Sequence, residues 1–248
     1  MKKSIRIAGI VLMLILIGLS SFVYTNLRNR HPGYSVDINI QGSPENDLLV
    51  GFAAIPITPE VPDRWQDVND DAQYNPDDGD TYTDGNGNGK FDPVWMAGFQ
   101  NRRPANGIHD DLWARTMVID DGHSRISLTV LDAIGFMHDD VIDVRKDLDE
   151  DLGITYSLFA STHTHEAPDL QGLWGAGYLK SGVNPDYMQM VKDQCRRSVR
   201  MAVDNLQPAS LILAEEPEAL AHLLTDTRKP FVTDHGLRLI RAVNNLNG

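Results

Sequence analysis

The spacing of apolar positions along the chain changes from segment to segment, and each spacing predicts an element. An uninterrupted apolar run, Ile7–Leu19, fades through Phe22, Val23 and Tyr24 and predicts one hydrophobic helix. "DLLVGFAAIPITP" (47–59) predicts a strand that runs into a loop, because Pro56, Pro59 and Pro62 stop any helix. Residues 63–92 are rich in Asp, Asn and Gly and nearly devoid of apolar residues, which predicts a long loop. "LWARTMVID" (112–120) and "RISLTVLDAIG" (125–135), joined by the turn residues "DDG" (120–122), predict a hairpin. "HDDVIDVRKDLDEDLG" (138–153) carries Val141, Val144, Leu148 and Leu152 at helical spacing, with Gly153 as the stop. "TYSLFAS" (155–161) predicts a buried strand. Pro185 and Asp186 open a helix whose apolar stripe is Met188, Val191, Cys195, Val199, Ala202 and Leu206, and Pro208 ends it. "ASLILAEE" (209–216) and "GLRLIRAVNN" (236–245) predict two more strands, and Asn247–Gly248 could start a turn. This order predicts an α/β protein: a layered domain with a mixed β-sheet and flanking helices, preceded by an N-terminal hydrophobic helix.

Charge and composition narrow the partners. The chain has 248 residues and a net charge of −13, which excludes nucleic acid as a main partner, because phosphate binding needs a basic face. Its single cysteine, Cys195, rules out an intramolecular disulfide and a Cys-rich zinc site. Placed on an apolar stripe, it reads as a small buried hydrophobe. Lys2, Lys3 and Arg6 ahead of the apolar run make residues 1–25 a signal anchor or signal peptide. That implies export, with the chain held at the membrane through this segment and facing outside the cytoplasm, or else secreted or periplasmic. Residues 26–46 read as a polar linker and residues 47–248 as the domain.

Two stretches carry candidate chemistry. "FASTHTHEAPD" (159–169) places His163 and His165 two apart, just past a strand end. In extended backbone such residues point to the same side, so both imidazoles could reach one zinc ion, or one could bind while the other handles a proton. Glu166 and Asp169 could be further ligands, or acceptors that fix the histidine tautomers. A plain polar loop is the competing reading. Catalytic zinc usually needs three protein ligands, and spacing shows no third. The second stretch is "DGDTYTDGNGNGKFDP" (78–93). Asp84, Asn86, Asn88, Gly89, Lys90 and Asp92 follow the first nine positions of an EF-hand-type calcium loop. The twelfth position is Trp95 instead of Glu, so Asp78 or Asp80 would have to complete the shell. The bland alternative is a cluster of Asx and Gly turns.

Five blocks in order, "GFAAIPITP" (51–59), "MAGF" (96–99), "GIHDDLWARTMVID" (107–120), "LDAIGF" (131–136) and "ASTHTHEAPD" (160–169), resemble the N-terminal part of the catalytic domain of the neutral/alkaline, non-lysosomal ceramidase family. The resemblance implies hydrolysis of the N-acyl bond of ceramide to sphingosine and fatty acid, with zinc as cofactor. It makes His163 a zinc ligand and His165 an active-site group beside the reacting carbonyl. It also makes Arg228 a site-lining arginine. His109 would face the same cleft or serve a structural hydrogen bond. Asp132 would orient a ligand or cap a strand end, and Arg115 would be an interior ion-pair partner. Against the family pattern, Pro56 stands where an acid is expected, Glu166 replaces a small residue, and the acidic loop at 63–93 is an insertion. The family's remaining zinc ligands and its serine fall after Gly248; His222 and His235 match no motif. The chain is therefore expected to hold part of a zinc site and to be inactive on ceramide alone. Two alternatives remain: a related hydrolase of another amide or ester, and a non-catalytic anchored calcium-binding module.

Overall fold

The computed structural model describes residues 2–42 and 47–246, the side chains of residues 2–5, 8 and 26 excepted. The expected turn at Asn247–Gly248 and part of the linker lie outside the described residues. The chain forms two compact units, Met1–Ile38 and Asn39–Gly248.

In the first unit α1, Lys2–Leu27, is the hydrophobic helix the apolar run predicts. Its described apolar side chains, among them Ile10, Leu14, Ile17 and Phe22, are exposed around the whole circumference. Among the described residues no helix is long and apolar enough to cross a membrane. The structure thus lends no support to a membrane-spanning anchor at residues 1–25.

The second unit is built on a mixed six-stranded sheet. Its strands are β1 (Leu49–Pro56), β4 (Trp113–Asp120), β5 (Arg125–Leu131), β6 (Tyr156–Ser161), β7 (Gln207–Glu216) and β8 (Leu237–Asn244), in the spatial order β6-β5-β4-β1-β7-β8. The predicted hairpin is β4–β5, in antiparallel register from Asp120–Arg125 to Ala114–Leu131. Only β5 and β6 are parallel, and the connection between them carries α2 (His138–Lys146). β2 (Arg64–Gln66) and β3 (Thr81–Thr83) make a separate small ribbon.

One helix organises the core. α3, Pro185–Asp204, starts where Asn184 accepts hydrogen bonds from the amides of Asp186 and Tyr187. Its stripe of Val191, Cys195, Val199 and Ala202 is fully buried against β1, β4 and β5. The buried hydroxyls there are paired: Thr116 Oγ1 lies 2.7 Å from Ser198 Oγ and 2.8 Å from Thr129 Oγ1. Burial pushes the Cys195 thiol up to about 12, so it stays protonated. α2 packs on α3, and Lys192 of α3 bridges Asp140 (2.8 Å) and Asp143 (2.6 Å) of α2. Burial opposes the charge on Lys192, yet the two carboxylates outweigh it and hold the ammonium above its usual range.

Four expectations need correction. The predicted helix 138–153 ends at Lys146; a turn of 3-10 helix, Glu150–Leu152, follows, closed by Gly153 in a left-handed conformation. β6 is an edge strand, with Ser157 buried but Leu158 45% exposed, so the apolar run did not mark a buried strand. The helices cover one face of the sheet only. On the other face the cross-strand row Phe52, Met117, Leu128, Leu158 is partly open. Residues 63–92 are not bare loop either: Tyr74 and Tyr82 both pack on Phe91, and Trp65 meets Tyr74 edge-on. Strands of three residues are too short to give a periodic signal.

A Cβ at Gly51 would collide with the carbonyl oxygen of Ala202, so Gly51 lets α3 sit directly on β1. Gly51→Ala is expected to cost about 3 kcal/mol, because the group it meets is backbone and cannot turn aside, and urea unfolding measures it. Cys195 should resist a thiol reagent in the native protein at pH 8 and react fully once urea unfolds the chain.

Candidate functional site

The parallel β5–β6 pair sets the site. Both strands end at the same edge, and the loop after each leaves from there, where α/β proteins place ligands. The two loops are stitched together: Thr162 N donates to Leu131 O at 2.9 Å. His163 comes next and adopts φ +61°, a left-handed conformation uncommon outside glycine. This turn carries its imidazole back to the β5 loop, where Nδ1 lies 2.7 Å from Ile134 O. A carbonyl oxygen only accepts, so Nδ1 bears the proton, and in the neutral ring the lone pair is on Nε2. That is the usual posture of a metal-binding histidine.

His165 lies beside it, the two rings 5.3 Å apart and nearly perpendicular. Its Nδ1 is buried and has no hydrogen-bond partner among the described residues. The segment Trp95–Ala97 runs against residues 167–169, through Ala97 N to Ala167 O (2.9 Å) and Asp169 N to Trp95 O (2.8 Å). Gly98, at φ +80°, presses its backbone on the His165 ring, and Phe99 meets that ring edge-on at 4.8 Å. Sequence reasoning missed Gly98, Phe99 and Arg103 as neighbours of the histidines.

The other candidate residues divide. His109 and Glu166 line one cavity of about 460 Å³, together with Asp132 and Thr164. Glu166 pairs with Arg103 at 3.3 Å, and His109 lies 2.6 Å from Asp110. Among the described residues Asp132 makes no hydrogen bond to His163 or His165; it accepts from Arg115 (2.7 Å) and from Trp113 N (3.0 Å), at the start of β4. Arg115 is half exposed, so that pair is not interior. Asp169 is fully buried and accepts from the amides of Gln171, Gly172 and Trp174. It organises the next loop and orients no histidine. Arg228 lies between β7 and β8, its side chain 93% exposed, next to Asp226 and not among the residues lining the cavity. Among the described residues no cluster of three or more histidine, cysteine or carboxylate side chains could hold a metal.

The acidic loop has its own order. The Asp84 carboxylate accepts from the amides of Gly87, Asn88 and Gly89. Asn86 Oδ1 accepts from Asn88 N, and Asn88 Oδ1 from Lys90 N. Hydrogen bonds from the Asn86 and Asn88 amides hold the Asp92 carboxyl below its usual range. Two of these oxygens, Asp84 Oδ1 and Asp92 Oδ2, each already accept two hydrogen bonds. Asp78 and Asp80 do not complete this shell: Asp78 accepts from Asn75, and Asp80 from the amides of Val68 and Asn75. The buried carboxylate of Asp63 instead grips the amides of Gly85 and Asp92. Upstream, Asp67, Asn69 and Asp71 repeat the pattern. Asp67 accepts from the amides of Asp71 and Ala72, Asn69 from Asp71 N, and Asp71 from Gln73 N. Positive φ recurs at matching places, Asp70 and Ala72 against Gly87 and Gly89. The D-x-N-x-D spacing (67–71) was the available signal, obscured because Ala72 stands where glycine is usual. Asp84→Ala is expected to remove amide protection at Gly87, Asn88 and Gly89, as read by hydrogen exchange.

No protein-family model matches the sequence, and no curated protein does. The fold is similar to two solved structures. A neutral ceramidase from Pseudomonas aeruginosa matches 81% of this chain with TM-score 0.53 and 20% identity. A ceramidase complexed with C2 matches 81% with TM-score 0.54 and 19% identity. The chain spans about 30% of the first and 29% of the second. Over most of its length, the chain therefore shares the fold of part of neutral ceramidase.

Proposed function

We propose that the chain contributes part of the site of a zinc-dependent amide hydrolase resembling neutral ceramidase, with ceramide or a related amide or ester as substrate. One observation carries the reading: His163, turned back by its left-handed backbone, gives Nδ1 to Ile134 O and leaves Nε2 for a metal, on a ceramidase-like fold. His163 would hold the zinc. Bound there, zinc supplies an activated water and a polarised carbonyl. His165 stands beside that position and handles the proton or the carbonyl oxygen of the substrate. His109 and Glu166, on the wall of the cavity, contact the substrate. Residues 1–25 act as the export segment. Within the same reading the loop from Asp84 to Asp92 takes a calcium ion, which stiffens the insertion; the carboxylate and amide oxygens gathered there favour a hard cation.

With fewer than three ligands at hand, zinc affinity should be weak and turnover of ceramide by this chain alone should stay at background. Calorimetric titration with zinc should show weak binding that His163→Ala abolishes. With zinc present, N-acetylsphingosine should shift the NMR signals of His165 and His109. Zinc binding that survives His163→Ala overturns the ligand assignment; unmoved histidine signals overturn the substrate.

A further inference from the structure

We propose that Arg103 is a positioning residue that fixes the His165 ring by fastening the backbone of His165 to the segment 96–103. The inference deepens the proposed function, since it rests on His165 being the group beside the metal. The Arg103 side chain is 13% exposed. Its Nη2 donates to Ala97 O at 2.7 Å and also to His165 O, while Nη1 reaches the Glu166 carboxylate at 3.3 Å. One planar group thus joins three acceptors from both segments. An ammonium has the charge but not the fork, so lysine cannot reproduce the arrangement.

The fastening bears directly on the imidazole. The guanidinium carbon lies 5.1 Å from the centre of the Phe99 ring, and that ring meets His165 edge-on. On another side the Gly98 backbone crowds the His165 ring. The ring is therefore held by Gly98 and Phe99, and both belong to the segment that Arg103 ties down. The arrangement leaves Arg103 Nε buried without a hydrogen-bond partner among the described residues. An unmet buried donor is costly. Its presence fits a guanidinium whose orientation is dictated by its other two nitrogens. Glu166 is the minor member, because its carboxylate is 72% exposed and water screens the pair. This gives a second role to the residue that departs from the ceramidase loop pattern: it accompanies Arg103.

The test is NMR on the metal-free 248-residue chain, reading the nuclear Overhauser contacts between the Phe99 and His165 rings, with Val130–Ala160 contacts across β5 and β6 as the fold control. The ring contacts should persist in the unsubstituted chain and in Glu166→Gln. They should vanish in Arg103→Ala and Arg103→Lys, and return in Arg103→Ala on adding methylguanidinium. A merely stabilising arginine would lower the unfolding midpoint and leave the ring contacts in place. Ring contacts that survive both Arg103 substitutions, or that vanish only in Glu166→Gln, overturn the proposal. If Arg103→Ala loses the Val130–Ala160 contacts, Arg103→Lys, which keeps the stem and the charge, decides. The readout needs neither zinc nor substrate, so failure of the zinc titration would leave it standing, and its own failure would leave the zinc reading intact.

Discussion

The pairing of β5 with β6 is the constraint on which the rest depends. Parallel neighbours cannot be joined by a tight turn, so the chain must leave the sheet and return, and α2 makes that crossing. The same pairing brings two loops out at one edge. Everything that resembles a working site is a consequence: the stitch from Thr162 to Leu131, the seating of His163 on Ile134, and the placing of His165 against the segment from Trp95 to Phe99. α3 supports β4 and β5 from behind through the hydroxyl contacts of Ser198, Thr116 and Thr129. A mobile sheet could not hold two imidazoles at a fixed separation.

Much of this was legible in the sequence. The stripe of α3 was readable because an amphipathic helix writes its buried face at regular intervals. The β4–β5 hairpin was readable from its turn residues, and the histidine loop from its place after a strand. What was not legible depends on contacts between distant residues. Arg103 and Glu166 are 63 positions apart, and nothing local to either announces the other. Asp132 and Asp169 looked like partners for the histidines because of their positions in the chain. In the fold their oxygens are taken by Arg115 and by backbone amides. Leu148 and Leu152 kept the helical rhythm past the true end of α2, since spacing cannot show where a turn of 3-10 helix takes over.

The site and the inserted loops follow different building rules. Around the histidines, order comes from main chain meeting main chain, with one guanidinium binding the segments. In the acidic loops it comes from short polar side chains folding back on their own amides, twice over and with the same arrangement. The first kind of order depends on the whole sheet. The second is mostly local, with Asp63 and Gln100 fastening the two loops to the rest of the domain.

The left-handed backbone at His163 links two properties that are usually independent, the identity of a side chain and the path of the chain. Few residue types accept that conformation cheaply; asparagine, aspartate and glycine do, and branched residues do not. Drift at this position is therefore channelled. A descendant that gave up the imidazole would most readily carry asparagine or glycine there, and its loop would keep its course. The geometry of the site could then outlast its chemistry, and a relative with no activity would still look, by its backbone, like an enzyme.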